Sequence, residues 1–132
     1  MPAQFHRLAI TMPMSRGPIT GEDVNRIRAA LNLYRTEFAA VLGVHVATVT
    51  RWEARGRQPI AIAGLARDLL LALRDVIVVR HYPLDLVRPV GRIVRQDLLR
   101  MGRLAAVGEL IRFASVAPMR WPGERESDAA PA

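Results

Sequence analysis

The sequence predicts an all-α fold, a compact domain of four to five helices followed by a C-terminal helical extension. Three observations carry that expectation. Apolar residues recur at three-to-four-residue spacing in successive stretches from Val24 to Ile111, as the buried stripe of a helix requires. Two of those patterns are short and meet at one glycine, Gly43, the signature of two helices joined by a tight turn. The chain of 132 residues is 51% hydrophobic, enough for the core of a domain of about 60 to 70 residues plus an extension.

Residues 1–19 are expected to form an N-terminal arm. Leu8, Ile10 and Met12 alternate with Ala9 and Thr11, a pattern open to a short strand, before Pro13, Gly17 and Pro18 break regular structure. The first helix starts at Thr20, which with Asp23 three residues on makes a capping box. Val24, Ile27, Ala30 and Leu31 form its inner face, which ends near Leu33.

The second helix is expected to take Thr36 as N-cap, with Glu37 near the positive end of its dipole. Phe38, Ala39 and Leu42 face inward, and Ala39 sits where the second and third helices cross, so it must be small. At Gly43 the helix stops and the chain reverses within about three residues, through a left-handed conformation that favours glycine. The third helix runs from about His45 to about Arg55, with Val46, Val49 and Trp52 as its apolar residues. Val44 and Val49 plug the inner angle, and Trp52 continues the buried face. Gly56-Arg57-Gln58-Pro59 ends it.

Ala61 to Arg80 carries Leu65, Leu69, Leu73, Val76 and Ile77 at helical spacing, a fourth helix. Leu70, Leu71, Val78 and Val79 widen that stripe beyond what a small domain covers, and the β-branched run Val76 to Val79 also fits a strand. After His81-Tyr82-Pro83, a long amphipathic helix is expected from Leu84 or Pro89 to Ala114, with Val90, Val94, Leu98, Met101, Ala105, Gly108 and Ile111 near a 3.5-residue period and Arg92, Arg95, Arg100 and Arg103 between them. The small residues Ala105 and Gly108 admit close approach by another helix, either helix four or a second subunit. Domains are thus expected at 20–80 and 84–115, with a polar, proline-bearing tail at 116–132 in which Trp121 is the one anchor.

The residues from Asn25 to Pro59, with Ile27, Leu31, Leu33, Ala39, Leu42-Gly43-Val44, Thr48-Val49 and Arg51-Trp52-Glu53, resemble the phage-repressor and Cro type of helix-turn-helix domain, also called the xenobiotic-response-element type. In that family glycine usually stands two residues after the Trp-Glu pair, whereas here Ala54 and Arg55 precede Gly56. The resemblance implies double-stranded DNA as partner, with the third helix in the major groove. Carried over by position, Val46, Ala47 and Arg51 are the base contacts. Arg35, Thr36, His45, Thr48, Thr50, Arg55 and Arg57 are the backbone or groove-edge contacts, with Arg35 gripping a phosphate at the start of helix two. Arg28 and Glu53 match a pair that bridges helix one and the recognition helix in some relatives. His45 stands where the family often has a Ser or Thr cap.

Composition agrees with such a partner. All 19 basic residues are arginine against 12 acidic ones, for a net charge of +7, which favours a polyanion, although an arginine-rich composition alone produces the same figure. There is no cysteine, which excludes disulfides and thiolate metal sites. His6, His45 and His81 lack metal-ligand spacing, and neither a catalytic constellation nor a cofactor motif is visible. No apolar run approaches the roughly 20 residues of a membrane span, and no signal-peptide pattern is visible, so a cytoplasmic location is expected.

The resemblance implies a dimeric transcriptional regulator, a repressor reading a palindromic operator as a homodimer. An antitoxin or adaptor whose C-terminal helix binds a toxin or effector protein is the alternative. An accessory factor in mobile-element recombination is a third.

Overall fold

The computed structural model describes residues 17–120; the expected strand at residues 8–12 and the Trp121 anchor lie outside them. Among the described residues there are six α-helices and no strand: α1 Gly21–Leu31, α2 Arg35–Leu42, α3 Val46–Ala54, α4 Gly64–Leu73, α5 Leu84–Arg100 and α6 Arg103–Val116. A π-helical segment, Arg74–Val79, prolongs α4, and a 3₁₀ turn, Ala117–Arg120, follows α6. The fold class is all-α, and none of these helices is long and apolar enough to cross a membrane.

The start of α1 is the capping box. The Asp23 N–H donates to Thr20 Oγ1 and the Thr20 N–H to Asp23 Oδ2, each at 3.1 Å, so two backbone donors that the helix leaves orphaned are satisfied. Asn32, at φ 58°, ends the helix. The Ile60 N–H donates to the Ile19 carbonyl at 3.0 Å, tying the chain before α1 to the chain after α3.

The inner angle of α2 and α3 is filled as expected. Ala39, Val49 and Trp52 are buried, Val44 is partly so, and Gly43 takes φ 75°. The start of α2 differs from expectation: the helix begins at Arg35, with Tyr34 as N-cap, and Thr36 is its second residue. Glu37 does the capping, its carboxylate accepting from the Tyr34 N–H at 2.8 Å.

In α4 the expected stripe holds from Leu69 to Ile77, while Leu65 is 54% exposed. The run that could have formed a strand is helical, with wider turns. Its Arg74, 3% exposed, reaches back to α1, donating to the Pro18 carbonyl at 3.1 Å and to Asp23 Oδ2 at 3.5 Å.

The single long C-terminal helix is two helices. It breaks at Met101 and Gly102, where the Met101 and Gly102 N–H groups both donate to the Asp97 carbonyl and Gly102 takes φ 102°. The resulting hairpin folds onto the rest: α5 against α1 and α2, α6 against α2 and α4. This is why Leu70 and Leu71 are buried after all. The core face of α5 is Val87, Gly91, Val94 and the partly buried Leu98; that of α6 is Ala106, Val107, Leu110 and Phe113. Tyr82 meets Phe113 edge to face at 5.6 Å. Met101, Gly108 and Ile111, expected on one seam with Val94, are exposed.

Two arginines from between the apolar positions, Arg95 and Arg103, hold the hairpin in place. Arg95 forks onto Glu37, Nε to Oε2 at 2.7 Å and Nη2 to Oε1 at 3.0 Å, donates to the Asn32 carbonyl at 2.6 Å, and lies over the Tyr34 ring. Arg103 donates to the Ala40 and Val41 carbonyls at the end of α2, where a positive charge also suits the helix dipole.

Gly91 is where α5 crosses the end of α1, and any Cβ there would collide with the Leu31 carbonyl. Gly108, by contrast, has nothing within 4 Å of the position a Cβ would take. Gly91→Ala is therefore expected to lower the unfolding free energy in urea by about 1 to 3 kcal/mol. Gly108→Ala should raise it by up to about 1 kcal/mol through helix propensity. Equal effects of the two changes would contradict this packing.

Candidate nucleic-acid interface

Helix α3 buries one side and bares the other. Val49 and Trp52 are buried, while Val46, Ala47, Thr50, Arg51 and Ala54 are exposed. At about 100° per residue these five share one face. Thr48 sits at the boundary, half-buried.

His45 is the N-cap, but its side chain makes no capping hydrogen bond. The first amides of α3 thus have no side-chain acceptor at an end where four N–H groups lack helical partners and the dipole is positive. Thr50 donates its hydroxyl to the Val46 carbonyl at 3.2 Å, which leaves that oxygen only acceptor capacity. Arg51 has no hydrogen bond or ion pair among the described residues, so its five N–H donors face outward.

What fixes the direction of this face is Glu53. Its side chain is only 4% exposed, and it accepts a forked pair from Arg28, Nε to Oε2 at 2.7 Å and Nη2 to Oε1 at 3.1 Å. Arg35 Nε adds a third bond at 2.8 Å and Asn25 Nδ2 a longer one at 3.4 Å. Arg28 also donates to the Leu33 carbonyl at 3.0 Å. One carboxylate therefore joins α1, the α1–α2 turn, α2 and α3.

Burial pushes the Glu53 carboxyl up, but the hydrogen bonds from Arg28 and Arg35, the Arg28 charge and the Asn25 bond outweigh it, and its pKa lies below the ordinary 4.5. Glu37 behaves alike. Burial raises it, while the Arg95 bond, the Tyr34 N–H and the Arg95 charge bring it below 4.5.

The residues carried over from the family resemblance fall into three groups. Val46, Ala47, Thr50 and Arg51 share the bare face, with His45 at its head and Thr48 beside it. Arg35 and Thr36 lie at the exposed start of α2, but Arg35 is bound to Glu53 rather than free. Arg55 and Arg57 follow α3. The Arg55 Nε donates to the Pro59 carbonyl at 2.8 Å, and Arg57 is 92% exposed with only a loose 3.9 Å pairing to Glu22. The helix ends through Gly56 at φ 60°, so the later glycine still supplies a left-handed stop. Arg51 and Arg55 flank a cleft of about 500 Å³ that runs to Pro59 and Ala61.

Asn25 was not singled out by the sequence, although it lies three residues before Arg28 and hence on the same side of α1. Among the described residues no group of three or more His, Cys, Asp or Glu is placed to hold a metal. No protein-family model matches the chain, and neither a curated protein nor a solved structure does.

Because both carboxylates are depressed in the folded state, their stabilisation is fully present above about pH 4.5 and is lost as pH falls through their folded-state pKa values. Urea midpoints should therefore drop on acidification in that window. Glu53→Gln should flatten part of the slope and cost about 1.5 to 3 kcal/mol at pH 7, as expected for hydrogen bonds to a charged group. An unchanged pH profile in this variant would contradict the assignment.

Proposed function

We propose that this chain is a sequence-specific DNA-binding transcriptional regulator of the repressor helix-turn-helix type. Helix α3 enters the major groove, and the protein acts as a homodimer on a palindromic operator. The observation that carries the reading is the bare face of α3, headed by uncapped amides and an unpartnered Arg51, and locked in direction by the buried Glu53 cluster.

The chemistry follows from the side chains present. A guanidinium donates two parallel hydrogen bonds to guanine O6 and N7, worth about 1 to 3 kcal/mol of discrimination, and the apolar Val46 and Ala47 suit a thymine methyl. Arg57 and the amides at the start of α2 suit phosphates, which position without specifying. Arg35 serves mainly to hold Glu53, with its remaining donors free to reach a phosphate.

For the dimer, the support is a stripe along α6. Leu104 is 80% exposed and Ile111 43% exposed; they flank Gly108, and Leu99 and Met101 extend the patch at the hairpin tip. A mid-helix glycine costs about 1 kcal/mol relative to alanine, and at position 108 no described residue comes within 4 Å of where a Cβ would stand. Close approach by a helix of a second copy supplies one. The same stripe suits a helix from a different protein, which is the antitoxin or adaptor reading.

Selection from random duplex DNA with the full-length protein at about 0.15 M salt is expected to enrich an inverted repeat with half-sites about one helical turn apart. Arg51→Ala should relax one base position of that motif. Arg57→Ala should weaken all sequences alike and reduce the salt slope by about 1. Bulk, salt-sensitive binding with no enriched motif would overturn the operator reading. Sedimentation of Gly108→Phe should give a monomer where the wild type is a dimer, with fold retained. A monomeric wild type would favour the partner-protein alternative.

A further inference from the structure

Next to the Glu53 cluster along α1, with Asn25 common to both, lies a groove of about 550 Å³ bounded by α1, the π-helical segment and the start of α5. Its apolar lining is Ala29, Ala30, Ile77, Val78 and Leu84. Its rim carries two guanidiniums, Arg26 on α1 and Arg88 on α5, with His81 in the turn between the π segment and α5. Among the described residues no acidic one lines it.

Charge decides what such a groove accepts. Arg88 is exposed and has no hydrogen bond or ion pair among the described residues. Arg26 has only an exposed 3.5 Å pairing with Glu22, which salt and water weaken. Two guanidiniums without a buried counter-ion, standing over an apolar floor, complement a molecule with an apolar body and one anionic end. The volume falls within the roughly 300 to 1,000 Å³ of small-molecule sites. Leu84, 52% exposed at the mouth, offers apolar surface that such a body would cover.

We propose that this groove binds a small amphiphilic carboxylate, its apolar body on Ala29, Ile77, Val78 and Leu84 and its carboxylate held by Arg88 and Arg26. The guanidinium fork of Arg88 matches the two carboxylate oxygens, an interaction about twice as strong as a neutral hydrogen bond. Each methylene laid on the floor should tighten binding about fourfold.

The test is calorimetric titration of the full-length protein, without DNA, using hexanoate, octanoate and octanamide as probes. Octanoate should bind saturably at one site per chain, about fifteenfold tighter than hexanoate and at least about tenfold tighter than octanamide. Arg88→Gln should weaken octanoate several-fold toward the level of octanamide, Arg88→Gln with Arg26→Gln should bring it to that level, and both should leave octanamide unchanged. Ala29→Phe should abolish binding of all three while the circular dichroism and urea midpoint stay near wild type. Equal binding of octanoate and octanamide, indifference to Arg88→Gln, or absence of saturation would overturn the proposal. So would concentration-dependent self-association that Ala29→Phe abolishes and octanoate does not compete, which would make a second copy the occupant.

Discussion

A buried carboxylate with two arginines on it determines what the rest of this structure can do. Glu53 sits on α3 with its side chain 4% exposed, and the guanidiniums come from α1 and α2. Burying the charge is costly, so the acceptor sites must be filled. The filling groups are what bring three helices into one geometry. A glutamine would offer one carbonyl oxygen where the fork of Arg28 and the Nε of Arg35 need two charged acceptors. The orientation of the bare side of α3 follows from this cluster, because Val49 and Trp52 alone would tolerate some roll of an apolar face.

The same device recurs across the fold. Arg95 clamps Glu37 and the end of α1, Arg103 caps α2, and Arg74 joins the π segment to Asp23. Each uses a guanidinium to span several acceptors in fixed directions, which a lysine cannot do. That all 19 basic residues are arginine thus has structural content as well as electrostatic content. Arginines with acceptors inside the fold act as fasteners. Those without them among the described residues are Arg51, Arg88 and, on the exposed side of α5, Arg92 and Arg100; Arg51 and Arg88 are the ones that border a cleft or groove.

Much of this was legible in the residues. The Thr20–Asp23 box, the reversal at Gly43, the small Ala39 and the Val49–Trp52 face are local signals, each with one physical solution, and the all-α class follows from them. Other features depend on contacts distant in sequence. Thr36 looked like a cap because its hydroxyl is the usual acceptor, but Glu37 supplied a carboxylate to the Tyr34 amide and moved the start two residues earlier. The hairpin at Met101-Gly102 was hidden because an apolar period near 3.5 runs through it, so nothing in the spacing separates one long helix from two. Gly91 drew no reading from the sequence, since only the crossing with the Leu31 carbonyl explains it. Arg95 and Arg103 stood in the sequence only as residues between apolar positions, because their acceptors lie about 60 residues earlier in the chain.

The most direct test of the account is amide chemical-shift mapping of the full-length protein with a duplex of about 20 base pairs at low salt, where phosphate contacts are strongest. Shifts confined to the start of α2, the bare face of α3 and the Arg55 to Pro59 loop are the predicted result. Shifts centred on the exposed side of α5 and α6, with α3 unperturbed, would contradict it.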